Sequence, residues 1–243
     1  MDVGLVVALG ATLIAASVGV LAGFGLGLVL IPILAVVYTP REAVITVIVL
    51  AMGNSILGLF ADFQSRPRPA PDWSIIRQGF LGAVIIAIPA ALTAAQLTSR
   101  AITAVLAIFV LVTTFLFWRG WTPTPPLPRG SAAIAGAMSQ AAGIFAGTTG
   151  PPFVLYTFAS GIALNRVRTT MQTFFLATNF ITIAMLWLTV AVRPLWLFVA
   201  VGVVASGVVA PFRSHVPQKV LRPAMLILCG LAGTTAGVSA LTG

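Results

Sequence analysis

Long runs without a charged residue alternate along the chain with short polar joints that often carry arginine. Uncharged stretches cover 78–99, 101–118, 130–165, 169–192, 194–212 and 223–243, several of them near the ~20 residues that a helix needs to cross a bilayer. The pattern predicts helices at about 43–62, 75–97, 100–118, 167–191, 194–213 and 221–241. Two further segments are too long for one crossing. The stretch 3–38 is interrupted by Gly23, Gly25, Gly27 and Pro32, and 131–164 is interrupted at Gly147-Thr148-Thr149-Gly150-Pro151-Pro152. Each predicts two arms joined at a break. Between them, 121–130 contains Pro123, Pro125, Pro126 and Pro128 and predicts a stiff, extended linker.

Composition turns these runs into a fold class. The chain is 59% hydrophobic and 7% charged, with mean hydropathy +1.11, whereas soluble domains carry roughly a quarter charged residues. An all-α polytopic membrane protein is the expectation, with lipid as its surroundings. The net charge of +9 comes from thirteen Lys and Arg scattered between apolar runs, the pattern of membrane-orientation signals rather than of nucleic-acid binding. The first apolar run starts at Val3 with no basic region before it, so no removable signal peptide is expected. Cys229 is the sole cysteine, which excludes an intramolecular disulfide and a thiol metal site.

The halves resemble each other. An offset of 120 lays Gly23 on Gly143, Gly27 on Gly147 and Pro32 on Pro152; five extra residues then put Arg41 on Arg166 and Asn54 on Asn179. The reading is a first repeat over 1–120, a linker over 121–130 and a second repeat over 131–243. If each broken segment returned to its starting side, one face would carry Arg66, Arg68, Arg77, Arg119, Arg129, Arg166, Arg168, Arg213, Lys219 and Arg222. Only Arg41, Arg100 and Arg193 would lie opposite. Eight simple crossings would divide the cations almost evenly, so the positive-inside rule favours hairpins. Each half is then a broken-helix hairpin plus three transmembrane helices. That odd number of passages makes the repeats inverted and puts both termini on the periplasmic side, a plan found in secondary transporters with sites at the breaks.

Broken membrane helices expose backbone groups that lipid cannot satisfy. At the second break, Gly147 and Gly150 permit unusual backbone angles, Thr148 and Thr149 offer hydroxyls, and Pro151-Pro152 suit a first helical turn. A helix starting there would aim its N–H groups and positive dipole end at a small anion; the alternative is a kink in a packed helix. The first break, Gly23-Phe24-Gly25-Leu26-Gly27, supplies backbone but no polar side chain. With the offset of 120, Leu28 and Val29 stand where the second half has Thr148 and Thr149, so asymmetric recognition is expected.

On the next helix, Arg168, Gln172, Asn179 and Thr182 share one stripe, which in a membrane faces protein or water. Of this stripe only Asn179 has a polar counterpart in the first half, Asn54. Asn54 and Asn179 serve either as ligand contacts or as interhelical hydrogen-bond formers, and Arg166 and Arg168 as headgroup anchors or ligands. The carboxylates Asp2, Glu42, Asp62 and Asp72 all lie away from the centres of apolar runs. They do not make a buried proton relay, and Glu42 reads as a surface partner of its neighbour Arg41. The single histidine, His215, falls in a basic loop. No metal site, cofactor or nucleophile–base pair is expected, and hence no enzyme.

The paired breaks, Gly23-Phe24-Gly25-Leu26-Gly27-Leu28-Val29-Leu30-Ile31-Pro32 and Gly143-Ile144-Phe145-Ala146-Gly147-Thr148-Thr149-Gly150-Pro151-Pro152, resemble the signatures of the sulfite exporter (TauE/SafE) family. The resemblance extends over nearly the whole chain, although Thr148 and Thr149 depart from the glycine-rich pattern. It implies a prokaryotic inner-membrane transporter of sulfite or organosulfonate-type oxyanions. The substrate-binding set expected from these readings is Gly23, Gly25, Gly27, Asn54, Gly147, Thr148, Thr149, Gly150, Pro151, Arg168, Gln172 and Asn179. An anion channel, or a transporter of another small organic anion, is the alternative, and a homo-oligomer is compatible with either.

Overall fold

The computed structural model describes residues 3–65, 68–119, 130–189 and 192–215. Among these the chain is helical, without strands: α1 (Val3–Ala22), α2 (Leu26–Val37), α3 (Pro40–Gln64), α4 (Trp73–Gln96), α5 (Ser99–Trp118), α6 (Ser131–Ala146), α7 (Gly150–Ala159), α8 (Leu164–Thr189) and α9 (Trp196–Val209), closed by a 3-10 turn, Ala210–His215. The expected helix over 221–241 and most of the proline-rich linker lie outside the described residues, as does Cys229.

Among the described residues five segments are long and apolar enough to cross a membrane: Gly4–Ala22, Pro40–Gln64, Trp73–Gln96, Arg166–Thr189 and Trp196–Arg213. Leu81, Val84, Ile85, Ile88 and Leu92 leave one face of α4 apolar and exposed, a surface suited to hydrocarbon rather than water. The helices α2 and α7, of 12 and 10 residues, span only about 18 and 15 Å at 1.5 Å per residue, short of a bilayer core of about 30 Å. Both expected long segments are therefore broken.

The breaks have a local cause. Gly23 and Gly147 end α1 and α6 in the left-handed region, with φ of 85° and 66°, a conformation that glycine alone adopts without penalty. Gly23 N–H donates to Gly19 O at 2.8 Å, and Gly147 N–H to Gly143 O at 2.9 Å. These two terminations lie 124 residues apart. Beyond the second break α7 returns alongside α6. Ser139, well before the end of α6, accepts from Phe153 N–H in the first turns of α7 at 3.3 Å and donates to Thr149 O.

Other starts are conventional. Thr39 and Glu42 form a capping box on α3, with Pro40 in its first turn, and the Asp72 carboxylate accepts from Ser74 and Ile75 N–H at the start of α4; such caps contribute about 1 kcal/mol each. Glu42 thus caps α3 instead of pairing with Arg41, whose Nη2 donates to Leu97 O at 2.9 Å.

Helix packing follows a reciprocal scheme. α4 lies on α6 and α9 on α1; α4 also meets α8, as α9 meets α3; and α3 crosses α8 at the centre. Exchanging α1–α4 for α6–α9 interchanges the first four of these contacts in pairs and maps α3–α8 onto itself. The α4–α6 crossing is close because it is built from small residues: a Cβ on Gly82 would strike Ala133 O, and one on Gly136 would strike Gly79 O.

Candidate functional site

The two breaks meet. A Cβ added to Gly27 would stand 2.7 Å from Thr148 Cγ2 and 3.1 Å from Gly147 O, and one on Gly150 would be 3.9 Å from Phe24 Cβ. Around this junction lies a small cavity of about 50 Å³. From the first break it is lined by Gly23, Gly25 and Gly27, and from the second by Gly147, Thr148, Thr149, Gly150 and Pro151. Asn54 reaches it from α3, and Gln172 and Asn179 from α8. Of the expected substrate-binding set, Arg168 alone is not on the wall.

Two helix amino ends face this space, and neither has a side-chain cap. The first three N–H groups of a helix have no partner within it. In α2 these belong to Leu26, Gly27 and Leu28. In α7 the equivalent positions are Gly150, Pro151 and Pro152, and proline has no N–H; the next donor, Phe153, is taken by Ser139. The first break thus supplies more backbone donors than the second. The second supplies side chains. Thr148 is 4% exposed and its hydroxyl has no partner among the described residues; Asn179 is 1% exposed, accepts from Thr149 Oγ1 at 3.3 Å through Oδ1, and leaves Nδ2 unpartnered among them.

The asparagines separate here. Asn54 Nδ2 donates to Ala16 O at 3.2 Å and its Oδ1 accepts from Ser206 Oγ, so both of its ends tie α3 to α1 and α9. Asn179 keeps a donor for something else. The rest of the α8 stripe also turns inward: Thr182 Oγ1 accepts from Gln140 Nε2 at 3.0 Å.

At one end of the cavity wall, Gln172 Oε1 accepts from Arg213 Nη1 at 2.7 Å. Arg213 is 2% exposed and its Nη2 stands 3.7 Å from Asp62 Oδ2. The same carboxylate oxygen accepts from Thr169 Oγ1 at 2.8 Å, and Arg168 Nη1 donates to Arg213 O at 3.3 Å. Asp62, expected to lie outside any buried arrangement, is the counter-charge of an interior arginine. Arg213 was not singled out in the sequence, where it reads as the start of a basic loop. Its only hint is that it ends an uncharged run. Arg166 is an anchor, but to protein: it donates to Ala70 O at 3.0 Å and pairs with Asp72 at 3.3 Å.

Among the described residues no cluster of His, Cys, Asp and Glu is able to hold a metal ion. Comparison with curated proteins and with solved structures gave no match. The family model for the sulfite exporter TauE/SafE, in contrast, matches residues 8–236, nearly the whole of this multi-pass helical chain. A description as a membrane transporter of sulfur oxyanions such as sulfite agrees with uncapped helix ends and spare donors around one cavity, and the chain belongs to the sulfite exporter TauE/SafE family.

Proposed function

We propose that this protein is a secondary transporter of sulfite or organosulfonate-type oxyanions in the bacterial inner membrane, and that the cavity between the two breaks is its substrate site. The observation that carries this reading is the convergence of the α2 and α7 amino ends on a space that also holds the unpartnered Thr148 hydroxyl and Asn179 Nδ2. Helix amino ends favour anions through their dipoles and free N–H groups, and a buried donor without a partner loses the solvation it had in water.

The mechanism proposed is alternating access between two inverted repeats. The reciprocal packing of α1–α4 and α6–α9 supports it, because two like units rocking about the central α3–α8 crossing would expose one fixed site to each side in turn. The hairpin topology has support in the contacts between joints. Arg166 reaches Ala70 and Asp72 at one end of the molecule, whereas Arg41 reaches Leu97, and Leu195 N–H donates to Thr46. These are the two groups into which hairpins divide the cations.

Purified protein in proteoliposomes tests the reading directly. Saturable uptake or release of sulfite, thiosulfate or a small sulfonate is expected. Unsaturated single-channel current would establish a pore instead, and an absence of both binding and flux for every sulfur oxyanion would refute the substrate assignment.

A further inference from the structure

The charge at the end of the cavity is unbalanced. Arg168 Nη1 donates to the backbone carbonyl of Arg213, so two arginines meet here, and among the described residues Asp62 is the carboxylate that pairs with Arg213. The Asp62 oxygen nearest Arg213 is shared with Thr169 Oγ1. Three guanidinium nitrogens remain buried without a hydrogen-bond partner among the described residues: Nε of Arg168, and Nε and Nη2 of Arg213. Buried charges are ordinarily paired and their donors satisfied, and arginine keeps its charge.

This cluster is in reach of the cavity through glycine. Gly23 lines the cavity, and a Cβ there would stand 3.5 Å from Arg213 Nη2 and 3.8 Å from Gln172 Nε2. Gly58 presses on the same pair from α3, where an added Cβ would strike Arg213 Nη1. Gln172 belongs to both places, lining the cavity while holding Arg213.

We propose that Arg213 and Arg168 form a second oxyanion subsite, continuous with the cavity at Gly23, in which the anion displaces Asp62 as the partner of Arg213. Asp62 is then a resident competitor, occupying the guanidinium when the subsite is empty, and Gln172 spans the two positions. The occupant is a small oxyanion, preferably doubly charged, since two guanidiniums offer several donors to one group of oxygens. This rests on the reading of the cavity as an oxyanion site.

The test is calorimetric titration of the purified full-length protein with sulfate, a dianion, and methanesulfonate, a monoanion. Arg213→Gln should weaken sulfate binding by about ten- to a hundredfold, the worth of a hydrogen bond to a charged group, and methanesulfonate binding by less. Asp62→Asn should tighten sulfate binding severalfold, because it removes the competing charge and keeps an acceptor for Thr169. The double variant should bind as weakly as Arg213→Gln. A folded Arg213→Gln that binds both anions like the parent overturns the subsite. Should that variant fail to fold, an Asp62→Asn affinity equal to or below the parent's overturns it as well. A parent protein that binds no oxyanion refutes the transport reading itself, an outcome distinct from a parent that binds and variants that do not differ from it.

Discussion

At the scale of single residues, the structure divides groups that look alike in the sequence. Thr148 and Thr149 are neighbours with the same hydroxyl, but Thr149 donates to Asn179 while Thr148 has no partner. Thr148→Ala should therefore remove a direct donor and raise the dissociation constant of the preferred anion about ten- to a hundredfold, at 1.5–3 kcal/mol for a hydrogen bond to a charged group. Thr149→Ala acts only by loosening Asn179 and should cost less. Leu30, wholly buried in the apolar core and away from the cavity wall, should lower stability when cut to alanine while leaving affinity unchanged. Isothermal titration with melting curves separates these effects; equal affinity in Thr148→Ala and the parent would make the second break a structural kink. The candidate positions were legible because glycine, proline and threonine interrupt otherwise apolar runs. Arg213 was not. Hydropathy marks a charge at the end of a run, but its inward turn depends on Asp62 and Gln172, which belong to distant parts of the chain.

Among the elements, run length carried most of the information. The broken segments and long helices fall where uncharged stretches predict them, since a lipid-facing helix leaves little room for charge. Starts were less visible: α3 begins at Pro40 rather than near residue 43 because Thr39 and Glu42 cap it, and a polar first turn hides from an apolar pattern. Abundant glycine lets several offsets between the halves match, whereas the backbone angles show that Gly23 and Gly147 each close a helix. The close crossing of α4 and α6 leads to a sharper expectation. Gly136→Val would drive a side chain into the Gly79 backbone, and overpacking of this kind costs about 1–3 kcal/mol. Gly10→Ala, with open space around it in α1, should be neutral or slightly stabilising, because alanine is the better helix former. Thermal melting of the two purified variants checks this, and similar melting temperatures would refute the tight crossing.

For the whole molecule, the decisive question is which ends of the helices share a side of the membrane. Residue contacts join the loop before α4 to the start of α8 through Arg166, Ala70 and Asp72. They also join the starts of α3 and α9 through Thr46 and Leu195. Eight simple crossings would put Ala70 and Arg166 on opposite faces, where no hydrogen bond is able to form. A hairpin in each half puts them together and gathers the arginines on that side, which the positive-inside rule assigns to the cytoplasm. Single cysteines at Ala70, Ala163 and Thr98, all exposed positions in joints between helices, make this measurable in a Cys229→Ser background. In intact cells a membrane-impermeant thiol reagent should label Thr98→Cys, whereas Ala70→Cys and Ala163→Cys should react only after permeabilisation. The pair must behave alike whichever way the protein is oriented. If all three patterns were reversed, the topology would survive and the orientation would flip. If Ala70→Cys and Ala163→Cys reacted from opposite sides, the hairpins, and with them the inverted repeats and the alternating-access mechanism built on them, would be excluded.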